Sequence, residues 1–223
     1  MLVGKLMYAM LGTRPDLAYT VSALGRFSSD LSTKHAGALK RVLRYLRHTQ
    51  YHGLVFQGMR SSNKEKVEIS GYSDSDWAGD IDTRWSTTGY TFVLGGAAIS
   101  WKSRRQATVA RSSTEVEYIA VTEAASEAIW LRRLFAELVS NSRLQQINVD
   151  NSGSISLAHN PKYHDRTKHI DVRHHFIREA IENGHVVLQY VRTTDNSADI
   201  LTKPLPRPRH EQHMASLGVR HAY

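Results

Sequence analysis

The feature that most constrains this chain is a carboxylate at the head of an apolar helix seam. In Ser112-Ser113-Thr114-Glu115-Val116-Glu117-Tyr118-Ile119-Ala120, Ser112 followed by Glu115 forms a capping box, which predicts that a long helix begins here. Helical spacing from Glu117 runs through Val121, Ala124, Ala128, Leu131 and Phe135, all apolar. Glu115 shares a more polar stripe with Ile119, Thr122 and Ser126, where an acid needs no explanation. Burying an ionised carboxylate is costly unless a cation or donor meets it. Glu117 therefore needs a partner.

Other acids suggest one. Asp74 ends a strand-like stretch, Asp150 ends another, and Asp199 lies in the first turn of a late helix. Gathered together, these four would repel one another unless divalent cations held them. Asp74 has rivals in Asp76, Asp80 and Asp82. Asp76 would share the face of Asp74 only if the strand continued, and Gly79 suggests that the chain has turned.

The chain of 223 residues suits one full domain plus a smaller piece. Lys and Arg number 29 against 21 Asp and Glu, a net charge of +8, which fits either a polyanionic partner or a merely basic soluble domain. With no cysteine, disulfides and thiolate metal sites are excluded, and a reducing compartment is expected. No apolar run is long enough for a membrane span, and the start lacks the marks of a signal peptide, so a soluble intracellular protein is expected.

Helices are predicted first: Leu2 to Leu11, one starting at Pro15, and one from Thr33 to His48. The third carries Lys40, Arg41, Arg44 and Arg47 opposite an apolar seam. That stripe suits a phosphate backbone or a solvated face equally. Ser61 to Lys66 reads as a boundary loop. Strands follow at Val67–Asp74, Tyr90–Leu94 and Ala97–Trp101, with Gly95-Gly96 as a hairpin turn. After the long helix come a strand at Ile147–Val149, helices near Ile155 and from Ile170 to Asn183, a strand at His185–Val191, and a last helix capped by Asn196. This order describes an α/β mixed sheet flanked by helices, with the Ile147 strand parallel to the first. Asp74 and Asp150 would then sit at neighbouring strand ends, where such folds place their sites.

The segments Tyr72-Ser73-Asp74, Ser113-Thr114-Glu115-Val116-Glu117, Val149-Asp150-Asn151-Ser152 and Asp195-Asn196-Ser197-Ala198-Asp199 resemble ribonuclease H. More closely, the chain resembles the ribonuclease H domain of copia-type retrotransposon polyproteins. Gly71 to Asp80, Ile99 to Ser103, Arg166 to Arg173 and Ala198 to Leu205 carry that resemblance. The helical start resembles the tail of the same elements' reverse transcriptase, around Gly12-Thr13-Arg14-Pro15-Asp16 and Leu43-Arg44-Tyr45-Leu46. The resemblance implies a ribonuclease H-like mixed sheet of about five strands preceded by a small helical segment. Its divisions are a helical tail over 1–60, a ribonuclease H-like domain over 67–205 and a C-terminal tail over 206–223. Two departures stand out: Trp85 follows Arg84 where a second basic residue is usual, and Gly153 follows Asn151-Ser152. Tyr72-Ser73-Asp74-Ser75-Asp76 lacks the adjacent aspartates of a polymerase site, so DNA synthesis is not expected.

The same resemblance implies that Asp74, Glu117, Asp150 and Asp199 are the metal-binding, catalytic acids. Two Mg²⁺ ions about 4 Å apart, with Mn²⁺ able to substitute, would support hydrolysis of the RNA strand of an RNA–DNA hybrid. Asp74 would bridge them, with Glu117 and Asp150 on one ion and Asp199 on the other. Nucleic-acid contacts are expected from Lys40, Arg44, Arg47, Lys102, Arg104, Arg105 and His169, with the hybrid read by shape and 2′-hydroxyls. The implied partners are the hybrid and the remainder of the Pol polyprotein, and the implied place is a cytoplasmic virus-like particle or the nucleus. His164, His169, His174 and His175 raise a zinc site, which the divergence of adjacent histidines around a helix disfavours. Asp171 reads as a helix cap. The rival class is a non-catalytic nucleic-acid-binding remnant, in which loss of one of the four acids would be expected. An integrase would order its acids differently.

Overall fold

The computed structural model describes residues 2–28, 32–57, 69–80, 82–110, 112–138, 145–159 and 168–222, with the backbone alone at 145 and 168–174. Helices α1 (Leu2–Gly12), α2 (Ala18–Gly25) and α3 (Thr33–His48) come first, with a 3-10 turn at Pro15–Leu17. Strands follow at β1 (His52–Leu54), β2 (Ser70–Asp76), β3 (Thr87–Leu94) and β4 (Ala97–Arg105). Then come α4 (Ser113–Leu138), β5 (Gln145–Val149), α5 (Ser152–His159), α6 (Lys168–Glu182) and β6 (Val186–Tyr190). Two 3-10 turns, Thr193–Asp195 and Ser197–Leu201, lead to α7 (Arg207–Ser216) and β7 (Val219–His221). The Ser61–Lys66 loop lies outside the described residues.

Local chemistry explains most boundaries. Glu115 donates its backbone N–H to Ser112 Oγ at 3.2 Å and so starts α4. Gly95 and Gly96, at φ +60° and +80°, turn β3 into β4. Gly184, at φ +62°, ends α6. The helix expected from Asn196 is a tight 3-10 turn instead, and Asn196 caps it by accepting from Ala198 N–H at 3.2 Å.

Five strands form one sheet in the order β4-β3-β2-β5-β6. The pairs β2–β3 and β3–β4 are antiparallel, while β2–β5 and β5–β6 are parallel. This is the ribonuclease H-like mixed sheet flanked by helices. On one face, Val121, Ala124, Ala128 and Leu131 of α4 bury against Phe92, Ile147, Val149 and Ile177. Alanine at two of those four positions lets α4 lie close to the sheet, and the large residues supply the burial, about 1.5–3 kcal/mol each.

The opposite face is covered by both ends of the chain. Ala18, Ala98, Ile200, Leu201, Leu217 and Val219 form one cluster that joins α2, β4, the last 3-10 turn, α7 and β7. Trp101 of β4 donates its indole N–H to Met10 O at 3.1 Å. Strand β1 pairs with β7 in a separate two-stranded ladder. The stretch 206–223 therefore forms a helix and a strand, and the ladder spans the boundaries drawn at 60 and 206. A buried network ties the first 3-10 turn to α3: Arg14 donates to Asp16 at 3.0 and 2.8 Å, and Tyr45 donates to Asp16 at 2.6 Å.

Close approach at Gly89 sets the last 3-10 turn onto β3. A Cβ there would lie 2.7 Å from Thr202 Cγ2 and 2.8 Å from Leu201 Cβ. Gly89→Ala should therefore cost about 1–3 kcal/mol, the usual range for overpacking. Urea unfolding at equilibrium measures it, and an unchanged midpoint would refute the close contact.

Candidate active site

Parallel pairing assembles the site. Ser73 of β2 lies opposite Val149 of β5, so the next residues, Asp74 and Asp150, emerge side by side. Glu117 arrives from the first turns of α4. Gln106 positions that start, donating through Nε2 to Thr88 Oγ1 at 2.9 Å and to Val116 O at 3.1 Å. Asp199 arrives from the last 3-10 turn, which Asn196 stitches to β2 by donating to Ser73 O at 2.9 Å.

Carboxylate oxygens of Asp74, Asp150 and Asp199 all lie within 4.8 Å of one another. Asp74 and Asp199 are buried at 1% and 0% exposure, and Glu117 at 7%. Glu117 adjoins this trio, beside Ser75. Among the described residues, Glu117 Oε2 and Asp150 Oδ1 are buried without a hydrogen-bond partner. Oxygen-only donors with two such orphaned atoms fit a hard divalent cation.

The electrostatics show the strain of this gathering. Burial first, then the charges of Asp199 and Asp150, push the Asp74 carboxyl up to about 7, against the pull of Lys203 and Thr202. Burial, Asp74 and Asp150 hold Glu117 well above the usual carboxylate range. Two cations offset the charge. Lys203 Nζ lies 2.9 Å from Asp199 Oδ1 and 3.5 Å from Asp74 Oδ2, and Arg209 lies 2.9 Å from Asp199 Oδ2. Burial opposes the charge on Lys203, but Asp74 and Asp199 outweigh it and its pKa is raised. Thr202 donates its hydroxyl to Asp74 Oδ2.

Sequence reading passed over Thr202, Lys203, Arg209 and Gln106. Lys203 carried a usable signal, standing four residues after Asp199. Arg209 and Gln106 carried none, because their partners are distant in sequence or contacted across the fold. Strand β2 does continue to Asp76, which shares the parity of Asp74 and feels Lys203 and Asp199. Depth separates the two, since Asp76 is only half-buried.

The basic candidates divide. Lys40, Arg44 and Arg47 are exposed on α3, and Arg104 is exposed at the end of β4. Arg105 lies over the Trp85 ring at 4.4 Å, in a cross-strand row with Thr87 and Asp76. Lys102 is committed to Glu123 at 2.9 Å. His164 and the side chains of His169, Asp171 and His174 lie outside the described residues. No helix among the described residues is long and apolar enough to cross a membrane.

Raised carboxyl groups make stability depend on pH with a definite sign. Between the ordinary 3.8 and about 7, folded Asp74 keeps a proton that the unfolded chain has released. The stability this lends is present at low pH and is lost as pH rises through about 7. In EDTA, the wild-type Tm should fall from pH 5 to pH 8 more steeply than that of Asp74→Asn. Equal slopes in parallel thermal melts would contradict this account.

No protein-family model matches the chain. The chain is 46% identical over 217 residues to the retrovirus-related Pol polyprotein from transposon TNT 1-94 of Nicotiana tabacum, covering 97% of this chain and 16% of that protein. A stretch of 129 residues, 58% of this chain, is 53% identical to secreted RxLR effector protein 161 of Plasmopara viticola, covering 87% of it. In fold, the chain is similar to a foamy viral protease-reverse transcriptase solved in complex with RNA/DNA hybrid, at a TM-score of 0.53 and 12% identity, over 92% of this chain and 25% of that one. Near-complete coverage at this identity settles the relationship: the chain belongs to the retrovirus-related Pol polyproteins of copia-type transposons, and it spans about a sixth of their length.

Proposed function

We propose that this chain is the ribonuclease H portion of a Pol polyprotein, joined to the end of its reverse transcriptase, and that it hydrolyses the RNA strand of RNA–DNA hybrids. The observation that carries the reading is the trio Asp74, Asp150 and Asp199, the first and last of them buried, with Glu117 beside it, gathered where the parallel pairing of β2 and β5 ends. Asp74, Glu117, Asp150 and Asp199 would hold Mg²⁺, or Mn²⁺ in its place, as hard oxygen ligands. When bound, such ions supply Lewis acidity and a water of lowered pKa. The chain's own work is to gather the ligands and exclude bulk water from their buried sides. Lys203 and Arg209 pair with the two oxygens of Asp199 and aim its carboxylate, and Thr202 fixes one oxygen of Asp74.

Hybrid would be held largely by phosphate contacts. Helix α3 carries Lys34, Lys40, Arg41, Arg44 and Arg47 exposed, with no acid anywhere in its 16 residues. None of these cations has an ion pair among the described residues. Arg104 and Arg105 lie at the end of the sheet that carries the acids. The natural setting of such a reaction is the particle in which the element is reverse-transcribed.

With end-labelled hybrid and Mg²⁺, the purified chain should cut RNA only within the hybrid. EDTA should abolish cleavage, and Asp150→Asn should lower it more than about 100-fold, beyond the drop typical of disturbing a metal centre's supporting shell. A folded chain that binds hybrid with metal present and leaves it intact would sink the enzyme reading. Replacing Lys40, Arg44 and Arg47 together by Ala should reduce the salt slope of hybrid binding by about 3, one for each phosphate that these cations neutralise. An unchanged slope would return α3 to the role of a solvated face.

A further inference from the structure

Next to the acids stands an aromatic ring that neither the core nor the metal ligands use. Trp77 directly follows β2, three residues after Asp74, and is 51% exposed. Two other tryptophans are occupied: Trp101 donates to Met10 O, and Trp85 lies under Arg105. Leaving half an indole in water forgoes a large apolar burial.

The turn that presents Trp77 is held from every side. Ala78 takes the left-handed conformation at φ 54° and donates its N–H to Ser86 Oγ at 3.1 Å. Gly79 lies against the Asp76 carboxylate, which a Cβ at that position would displace. Asp80 donates to Trp85 O at 3.3 Å and accepts Arg84 N–H at 2.7 Å. Its carboxylate accepts from the backbone of Asp82 and Thr83 at 3.1 and 3.0 Å. Arg26 of α2 donates to the same carboxylate at 2.8 Å and reaches Thr87 Oγ1 at 3.5 Å. These bonds fix the turn that follows Trp77, and with it the place of residue 77 three positions after Asp74.

We propose that Trp77 is a positioning residue whose indole packs against the ribose edge of the RNA strand in the hybrid minor groove, setting that strand over Asp74 and Asp150. This rests on the nuclease reading above. Bases within a duplex are already stacked, so a flat ring can meet only the sugar edges. The wide, shallow minor groove of an A-like duplex exposes those edges and their 2′-hydroxyls. The ring offers apolar area to the sugars, and its N–H can donate to a hydroxyl oxygen. A phosphate contact would call for Lys or Arg instead, and those stand on α3 and at the end of β4.

The test uses the full chain as Trp77→Ala and Trp77→Phe, with labelled RNA–DNA hybrid and duplex DNA. In EDTA, Trp77→Ala should weaken hybrid binding by about ten-fold, within the range of ring contacts to nucleic acid. Trp77→Phe should recover most of that, and duplex DNA binding should shift far less. In Mg²⁺, KM for Trp77→Ala should rise by more than kcat falls. Adding hybrid to the wild type should change tryptophan emission, and that change should vanish in Trp77→Phe but persist in Trp130→Phe, whose ring is exposed on α4. This emission comparison decides the matter even if Trp77→Ala does not fold. Wild-type affinity in a folded Trp77→Ala, or an emission change retained in Trp77→Phe, would overturn the proposal while leaving the nuclease standing. A wild-type chain that neither binds nor cuts hybrid would overturn both.

Discussion

Mutual repulsion among buried carboxylates is the constraint around which this molecule is built. Asp74, Glu117 and Asp199 are each less than a tenth exposed, and Asp150 adjoins them. In water such groups would separate, and each would be ionised at neutral pH. Here strand pairing, the seating of α4 and the last 3-10 turn hold them together. Lys203, Arg209 and Thr202 offset part of the cost. The residual strain appears as carboxyl groups that resist ionisation. A scaffold that holds acids against their repulsion gathers the oxygen donors that a hard divalent cation would need.

That scaffold is not confined to the sheet. Helices from the start of the chain and α7 from its end share one apolar cluster on the face opposite α4. Arg14 and Asp16 form a buried ion pair that Tyr45 of α3 caps by donating to Asp16, and the same phenol lies 3.2 Å from Met214 Sδ of α7. Removing one partner of such a pair typically costs about 3–5 kcal/mol, because the other charge is left uncompensated. Arg26 extends the same linkage to the turn after β2, beside the acids. The segment resembling a reverse transcriptase tail thus braces the acid-bearing end of the sheet.

Several parts of this arrangement were legible in order along the chain. The seam from Glu117 to Phe135 separated Glu117 from Glu115, and Glu117 is buried while Glu115 is not. Gly95-Gly96 marked its hairpin, and Ser112 marked the start of α4. These features are local: a cap, a turn and a helical period each draw on residues a few positions apart. Asp74 and Asp76 were inseparable at that level, since both belong to one strand with one parity. Strands β1 and β7 were illegible too, because three-residue strands carry no period and exist only through each other.

By itself, then, the sequence determined the longer elements, the mixed character of the sheet and the family. Each of these follows from periodicity, capping, turn chemistry or motif, which neighbouring residues express without reference to the rest of the fold. Tertiary structure alone decided which acids are deep, which cations answer them and which aromatic rings are left facing outward. Lys203 and Arg209 reach Asp199, Asn196 reaches Ser73, and Arg26 reaches Asp80 only after the chain has closed on itself. Burial and Coulomb interaction depend on distance through space, and distance along the chain does not set it.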